Sequence, residues 1–152
     1  MASTERHEAP AAGRPEPSTS QEVVLNQYFH ADNLFALRSA VGAHASALGL
    51  AEPRVADLIL VAHELAANAV RHGGANEEMP GRLRLWRDGH EVVCQVHDSG
   101  PGFGDADNAG RQAVPISANN GRGLWIIRQV VRQLNIATGP GGTTITVSLP
   151  LT

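Results

Sequence analysis

A carboxylate and an amide stand one helical turn apart in an apolar stretch of the sequence. Residues 55 to 70 are apolar at most positions, and Glu64 and Asn68 interrupt them at a spacing of four. At about 100° per residue, this spacing puts both side chains on one face of a helix, together with Arg71 and His72. Glu64 can accept a proton from an attacking hydroxyl group or water, and Asn68 offers an oxygen ligand of the kind that Mg²⁺ accepts. The sequence thus indicates a polar site on a helix otherwise suited to a core.

The same residues also have a structural interpretation. Glu64 and Asn68 could hydrogen-bond to each other or to Arg71, because polar pairs four residues apart are common on helices. A pairing of Arg71 with Glu64 would lower the basicity of the carboxylate and leave binding without efficient transfer. His72 could cap the end of the helix or contact a ligand. The sequence leaves these alternatives open.

Two glycine-rich segments further along the chain are suited to bind a nucleotide. Asp98 ends a predicted strand and is followed by Gly100 and Gly102. The carboxylate could accept a hydrogen bond from an exocyclic amine, while the glycines let the backbone approach a flat ring. Gly121 and Gly123 precede a predicted helix, whose free N–H groups and positive dipole end would hold a polyphosphate. Together the two segments predict a site for adenine and a triphosphate.

The elements that position these residues follow from the period of the apolar side chains and from the turn residues. Asp32 or Asn33 could cap the first helix, and Asp88-Gly89 could form a hairpin turn. Residues 104–120 hold few apolar side chains and predict a long functional loop, which we interpret as a lid. We predict, in order, a strand over 22–29, helices over 32–48 and 53–72, hairpin strands over 82–87 and 91–98, a helix over 124–134 and a strand over 143–149.

Length and composition limit the class of protein. At 152 residues with a net charge of −3, the chain is one domain in size and lacks the basic excess of a nucleic-acid-binding surface. All twelve basic residues are Arg, so the lysine of a Walker A phosphate loop cannot be supplied. No signal peptide and no run of about eighteen apolar residues occurs, which predicts a soluble, cytoplasmic protein without membrane contact.

Residues 1–20 differ in composition from the rest of the chain. Pro, Ala, Ser, Thr and charged residues make up nearly all of this segment, and almost none of it could bury apolar surface. We therefore predict a disordered tail over residues 1–20 and a single domain over residues 21–152.

Other reactive side chains have simpler interpretations. His63 begins a sequence like the zinc motif HExxH, but Ala67 occupies the place of the second histidine, so we predict no zinc site and a structural role for His63. His97 precedes Asp98 on a predicted strand and should face the opposite side of the sheet. Cys94 is the single cysteine, forms no intramolecular disulfide and is predicted to be an inert core residue.

The motifs carry a resemblance to a known superfamily. They occur in the order E-L-x-x-N-x-x-x-H over residues 64–72, D-x-G-x-G over 98–102, G-x-G over 121–123 and G-T over 142–143. This order resembles the N, G1, G2 and G3 boxes of the GHKL ATPases, and the short chain with a leading strand and helix resembles the anti-sigma factor serine/threonine kinases among them. The resemblance, over residues 22–150, implies a Bergerat fold. This is an α/β two-layer sandwich with a mixed, mostly antiparallel sheet, helices on one face, and ATP between the helices and the lid.

The resemblance also implies a role for each matching residue. Asn68 would hold Mg²⁺, Glu64 would be the general base, Asp98 would read the adenine amine, and Thr143 would support that contact. The other ATP-binding positions implied by the glycine boxes are Gly100, Gly102, Gly121, Arg122, Gly123 and Leu124.

Partners also follow from the resemblance. Such kinases bind a sigma factor and phosphorylate a serine on a STAS-fold anti-sigma factor antagonist, many are dimers, and no direct contact with nucleic acid is implied. This chain departs from the pattern at Arg122, which separates the G2 glycines and could contact phosphate or face water. The predicted lid contains no Lys and has only Arg111 as a cation. These departures bear on phosphoryl transfer more than on ATP binding.

Two other functions are compatible with the sequence. The chain could be a regulatory binding module that uses ATP only to set its conformation, or a detached histidine kinase catalytic domain. The second is disfavoured because the first twenty residues cannot form a helical hairpin with a phosphoacceptor histidine. The function that the sequence predicts is an ATP-dependent serine kinase that also sequesters a sigma factor.

Overall fold

The computed structural model describes residues 14–100 and 122–152, which form a five-stranded sheet with helices packed on one face. This arrangement confirms the predicted α/β two-layer sandwich. The elements in chain order are β1 (Val23–Phe29), a 3₁₀ turn (Ala31–Asn33), α1 (Leu34–Ala47), α2 (Glu52–Arg71), β2 (Gly81–Asp88), β3 (Glu91–Asp98), α3 (Arg122–Val130), β4 (Gln133–Gly139) and β5 (Gly142–Pro150).

The sheet has the strand order β1-β2-β3-β5-β4. All four pairings between the described strands are antiparallel, whereas the resemblance implies a mixed, mostly antiparallel sheet. The predicted hairpin of β2 and β3 is present, and Gly89 in its turn has a φ of 64°, a conformation that glycine adopts without strain. In the centre of the sheet, β3 pairs with β5, so the end of β3 lies beside the start of β5.

Alternation along β3 gives the two faces of the sheet different chemistry. Val92, Cys94 and Val96 belong to the core under the helices, which places Asp98 on the same side. His97 points away, and its Nδ1 lies 2.8 Å from the Thr144 hydroxyl on the outer face. The prediction that His97 faces the side opposite to Asp98 is therefore confirmed.

The two long helices begin and end near their predicted bounds. Gly49 follows α1 with a φ of 90°, and Gly74 follows α2 with a φ of 72°, so a glycine in a left-handed conformation ends each helix. Asn33 stands immediately before α1 but does not cap it, because its side chain accepts a hydrogen bond from the N–H of His30 instead. Among the described residues, the helices are too short or too polar to cross a membrane.

The predicted third helix is too long. It ends at Val130, and residues 133–139, part of which we assigned to that helix, form β4. Leu134 therefore lies on a strand, paired with Val147 of β5. Without β4, the buried strand β5 would leave a row of unpaired N–H and C=O groups at the sheet edge, and the cost of those groups outweighs the helical period of the sequence.

Part of the predicted tail lies on the outer face of the sheet. Gln95 Nε2 donates to the carbonyl of Pro15 at 2.7 Å, and Arg84 donates to Glu16 at 2.7 Å. Burial raises the pKa of Glu16, but hydrogen bonds from Arg84 and Arg14 outweigh this effect and hold the pKa below its ordinary value. The division of the chain at residue 20 stays a prediction.

A substitution at the start of β2 tests the packing of the core. A Cβ atom at Gly81 would overlap the ring of Phe29, which is completely buried. Because that ring has no room to move, Gly81→Ala should lower the free energy of unfolding by about 1–3 kcal/mol. Gly141→Ala is the matched control, since a Cβ atom there meets nothing within 4 Å. Urea denaturation measures both variants, and equal stabilities would contradict this packing.

Candidate functional site

A small cavity lies where α2 crosses the ends of β3 and β5. Apolar residues form much of its wall, and its polar side chains are those of His72 and of the predicted residues Asn68, Asp98 and Thr143. The last two are direct partners in the β3–β5 ladder, so their side chains share one face of the sheet. The cavity volume is about 20 Å³, room for roughly one water molecule.

Asp98 is a buried carboxylate in this cavity. Only 7% of the residue is exposed, and the N–H of Gly100 donates to Asp98 Oδ1 at 2.8 Å. Burial raises the pKa of Asp98, and the hydrogen bond from Gly100 only partly offsets that rise. A desolvated carboxylate beside a cavity is typical of a functional site, because a ligand that donates hydrogen bonds there repays the cost of burial.

Glycines allow the backbone to close around Asp98. A Cβ atom at Gly73 would overlap the Asp98 carboxylate, and one at Gly142 would overlap the Asp98 carbonyl. A Cβ atom at Gly100 would overlap the backbone of Gly73. The predicted proximity of Gly100 to the ligand site is consistent with this packing.

Gly73 and Gly74 directly follow the predicted helix over 53–72, where a glycine commonly ends a helix. The neighbouring Gly74 already supplies the positive φ that ends the helix, so Gly73 is needed for space rather than for the turn. The signal in the sequence was the doubling itself, because one glycine suffices to end a helix.

The start of α3 lies against the polar pair of α2. A Cβ atom at Gly123 would lie 2.6 Å from Glu64 Oε1 and 3.6 Å from the amide atoms of Asn68. Glu64 is half-buried, and Asn68 is 7% exposed. The fold therefore brings the predicted phosphate-binding helix start next to the predicted base and the predicted metal ligand, although about 60 residues separate them in the chain.

Arg71 pairs with Asn68 and not with Glu64. Its Nη2 donates to Asn68 Oδ1 at 2.9 Å, while no other residue in the described ranges forms a hydrogen bond or ion pair with the Glu64 carboxylate. The oxygen taken by Arg71 is the one assigned to Mg²⁺. Two unit charges 4 Å apart near a protein surface interact by about 4 kcal/mol, and a divalent ion doubles this. A guanidinium and a metal ion on Asn68 Oδ1 would therefore repel each other.

The other predicted ligand positions are distributed over the same region. The side chain of Leu124 is packed in the core, so only its backbone is available to a ligand. The hydroxyl of Thr143 is buried and lies 3.3 Å from that of Thr138. Arg122 is the first residue of α3. Gly102, Gly121 and the predicted lid over 104–120 lie outside the described residues.

The histidines and the cysteine have different surroundings. His72 is exposed after the last turn of α2, borders the cavity, and donates its N–H to the Asn68 carbonyl at 2.8 Å. His63 Nδ1 is buried, and no described residue forms a hydrogen bond with it. Among the described residues, His63 belongs to no group of side chains that could hold a metal ion. Burial raises the pKa of the Cys94 thiol to about 12, which makes it an inert core residue as predicted.

The comparison with protein families identifies the domain. A family model described as "Histidine kinase-like ATPase domain" matches residues 29–149, most of the chain. The chain belongs to this family. The match places the domain in the GHKL superfamily, as the boxes at Glu64, Asp98, Gly121 and Gly142 predict. ATP with Mg²⁺ is the ligand pair of such ATPase domains and therefore of this one.

Similar proteins are histidine kinases. A segment of 52 residues is 42% identical to "Signal transduction histidine-protein kinase AfsQ2" of Streptomyces coelicolor; it makes up 34% of this chain and 9% of that protein. The chain thus spans about a tenth of the length of this curated relative.

Solved structures share the fold at low identity. The mycobacterial sensor histidine kinase MprB aligns with a TM-score of 0.51 and 22% identity, over 63% of this chain and 71% of that one. The blue-light activated histidine kinase of Erythrobacter litoralis aligns with a TM-score of 0.53 and 19% identity, over 78% of this chain and 42% of that one. The catalytic domain of histidine kinase ThkA aligns with a TM-score of 0.51 and 15% identity, over 85% of this chain and 99% of that one.

The residues of this ATPase domain fit its ligands. A buried carboxylate in an apolar cavity suits the exocyclic amine and flat ring of adenine, so Asp98 would hold the base, beside Thr143. The neutral amide oxygen of Asn68 suits Mg²⁺, which takes its remaining ligands from water and phosphate. The start of α3, which lies beside Asn68, would receive the phosphates.

Replacing the buried carboxylate tests the cavity. Asp98→Asn keeps an acceptor for the Gly100 N–H but removes the buried charge, so the nucleotide-free variant should unfold at higher denaturant than the wild type. ADP affinity should fall about 10- to 100-fold, the loss of one charge-assisted hydrogen bond. Urea denaturation and calorimetry measure the two effects.

The pH dependence has a defined sign. Because the pKa of Asp98 is raised in the folded state, its cost to stability is complete above that pKa and is relieved as the pH falls through it. The stability advantage of Asp98→Asn should therefore be largest at neutral pH and shrink on acidification. An advantage that grows on acidification would contradict the burial of a charged Asp98.

Proposed function

We propose that this ATPase domain is a serine/threonine protein kinase of the anti-sigma factor type. It transfers the γ-phosphate of ATP to a serine of a STAS-fold anti-sigma factor antagonist, and it sequesters a sigma factor. The observation that supports transfer is the position of the Glu64 carboxylate, which lies against the start of α3 and is not paired with Arg71. The order of the four boxes in a short chain with a leading strand and helix supports the subfamily.

Each side chain of the site has a separate role in the proposed phosphoryl transfer. The serine oxygen forms a bond to the γ-phosphorus, the bond to the β,γ-bridging oxygen breaks, and ADP leaves. Glu64 accepts the proton of the serine hydroxyl, and Asp98 fixes the adenine end. Mg²⁺, when bound at Asn68, neutralises charge on the phosphates. Because this chemistry needs mainly positioning and charge neutralisation, so few groups are sufficient.

A second candidate is transfer to a histidine of another protein. The similar proteins favour it, because the three solved structures above and the curated relative are named histidine kinases. The phosphorylated product distinguishes the two, because phosphoserine survives acid and is lost in alkali, whereas phosphohistidine behaves in the opposite way. A regulatory module that uses ATP without transfer would label no partner.

The proposed partners define an assembly. We propose a homodimer that binds a sigma factor and its antagonist in the cytoplasm, without direct contact with nucleic acid. The net charge of −3 supports the last point, since a nucleic-acid-binding surface needs an excess of basic groups. Light scattering of the purified chain, alone and with the sigma factor of the same host, measures the stoichiometry.

Loss of the proposed base should affect transfer without affecting binding. With radiolabelled ATP and a STAS-domain protein from the same host, Glu64→Gln should transfer phosphate about 10²- to 10⁴-fold more slowly and bind ADP normally. Asp57→Asn is the control, because Asp57 lies on the same helix and pairs with Arg54 away from the cavity. Undiminished transfer by Glu64→Gln would exclude the carboxylate as the base.

A substitution at the start of α3 also tests the role of the Glu64 carboxylate. Gly123→Ala places a methyl group 2.6 Å from the present position of Glu64 Oε1. The end of a glutamate side chain can move aside, so the variant should fold with nearly unchanged stability. Transfer should fall because the carboxylate is displaced from its place at the phosphates. Thermal unfolding and the same radiolabel assay check the two outcomes, and full activity would place Glu64 outside the reaction.

A further inference from the structure

Arg71 reaches from the exposed end of α2 to a buried amide. The hydrogen bond from Nη2 to Asn68 Oδ1 measures 2.9 Å, and Asn68 is 7% exposed while Arg71 lies in contact with solvent. A long exposed arginine usually keeps its guanidinium in water. Here the guanidinium instead holds the single oxygen that the proposed site offers to a metal ion.

We propose that Arg71 is a resident cation at the metal position, which Mg²⁺ displaces from Asn68 Oδ1 when the nucleotide binds. The proposal rests on the assignment of Asn68 as the metal ligand in the proposed function. Displacement is required because a guanidinium and a divalent ion on one oxygen repel each other strongly. It is also easy, since the released side chain is at the surface and returns to water.

The exchange gives Arg71 two opposite effects on ligand binding. Without Mg²⁺, the guanidinium stands beside the start of α3 and can pair with phosphate oxygens through its planar set of donors. With Mg²⁺, the same guanidinium competes for Asn68 Oδ1 and raises the metal concentration that the site needs. A side chain that only supported the fold would not strengthen ADP binding in the absence of Mg²⁺ and also raise the Mg²⁺ concentration that the site needs.

Calorimetry of ADP binding over a series of free Mg²⁺ concentrations, including EDTA alone, tests the exchange. In EDTA, Arg71→Met should bind ADP about tenfold more weakly than the wild type, the equivalent of one charge-assisted hydrogen bond. In the Mg²⁺ series, Arg71→Met should reach half-maximal affinity at about tenfold lower free Mg²⁺. Chelation of Mg²⁺ by ADP in solution is the same for both proteins and cancels.

Arg54→Met is the matched control. Arg54 lies on the same helix about 25 Å away and also donates to a side chain three residues distant, Asp57 Oδ2 at 3.1 Å. Its loss removes the same charge and a similar hydrogen bond, and both ADP curves should remain those of the wild type. Arg71→Lys keeps a positive charge, so in EDTA it should bind ADP more tightly than Arg71→Met does.

Each result decides between the alternatives. Identical Mg²⁺ dependence in the wild type and Arg71→Met would overturn the exchange, as would equal losses in Arg71→Met and Arg71→Lys. ADP binding is read without any phosphoryl transfer, so such a result would leave the kinase proposal to the Glu64→Gln assay. If the wild type bound no ADP at any Mg²⁺ concentration, both proposals would fail.

Discussion

The cost of burying one carboxylate constrains the whole nucleotide site. Asp98 ends the central strand β3 under helix α2. Burial raises its pKa, and the backbone N–H of Gly100 stabilises the charged form by a hydrogen bond. An ionised group in such surroundings costs several kcal/mol unless a partner compensates it. Gly73 packs against the carboxylate and Gly142 against the Asp98 backbone, and a ligand that donates hydrogen bonds in the cavity would compensate the cost of burial.

Helix α2 sets the distance between the two ends of the site. Asn68 borders the cavity at Asp98, and the same residue lies within 4 Å of the position a side chain would take at Gly123. Fully buried side chains such as Leu58 and Leu65 fasten the helix to the sheet. An adenine ring at the end of β3 and phosphates at the start of α3 would therefore be aligned by one rigid element, as transfer chemistry requires.

The register of β3 against β5 separates two environments across one sheet. Asp98 pairs with Thr143 toward the helices, and the adjacent pair, His97 with Thr144, faces outward. Burial, and then the charge of Arg14, lowers the pKa of His97, which lies on the opposite face of the sheet from Asp98. A shift of the register by one residue would exchange the two pairs and remove the carboxylate from the cavity.

Most of the local elements, and the side chains that share a face at the site, could be predicted from the sequence. Helical spacing placed Glu64 and Asn68 on one face of α2, alternation placed Asp98 and His97 on opposite faces, and the glycines marked the helix ends and the hairpin turn. These features depend on contacts between residues close in the chain, which the period of the sequence encodes.

Features that depend on contacts between distant segments could not be predicted from the sequence. Residues 133–139 became a strand because β5 needed a partner, and Gly73 proved necessary because a carboxylate from β3 occupies the space of its side chain. Arg71 pairs with Asn68 rather than Glu64, a choice between two neighbours on one helix face that spacing cannot make. The reason in each case is that packing and hydrogen-bond satisfaction are set by the three-dimensional neighbours, which override weak local preferences.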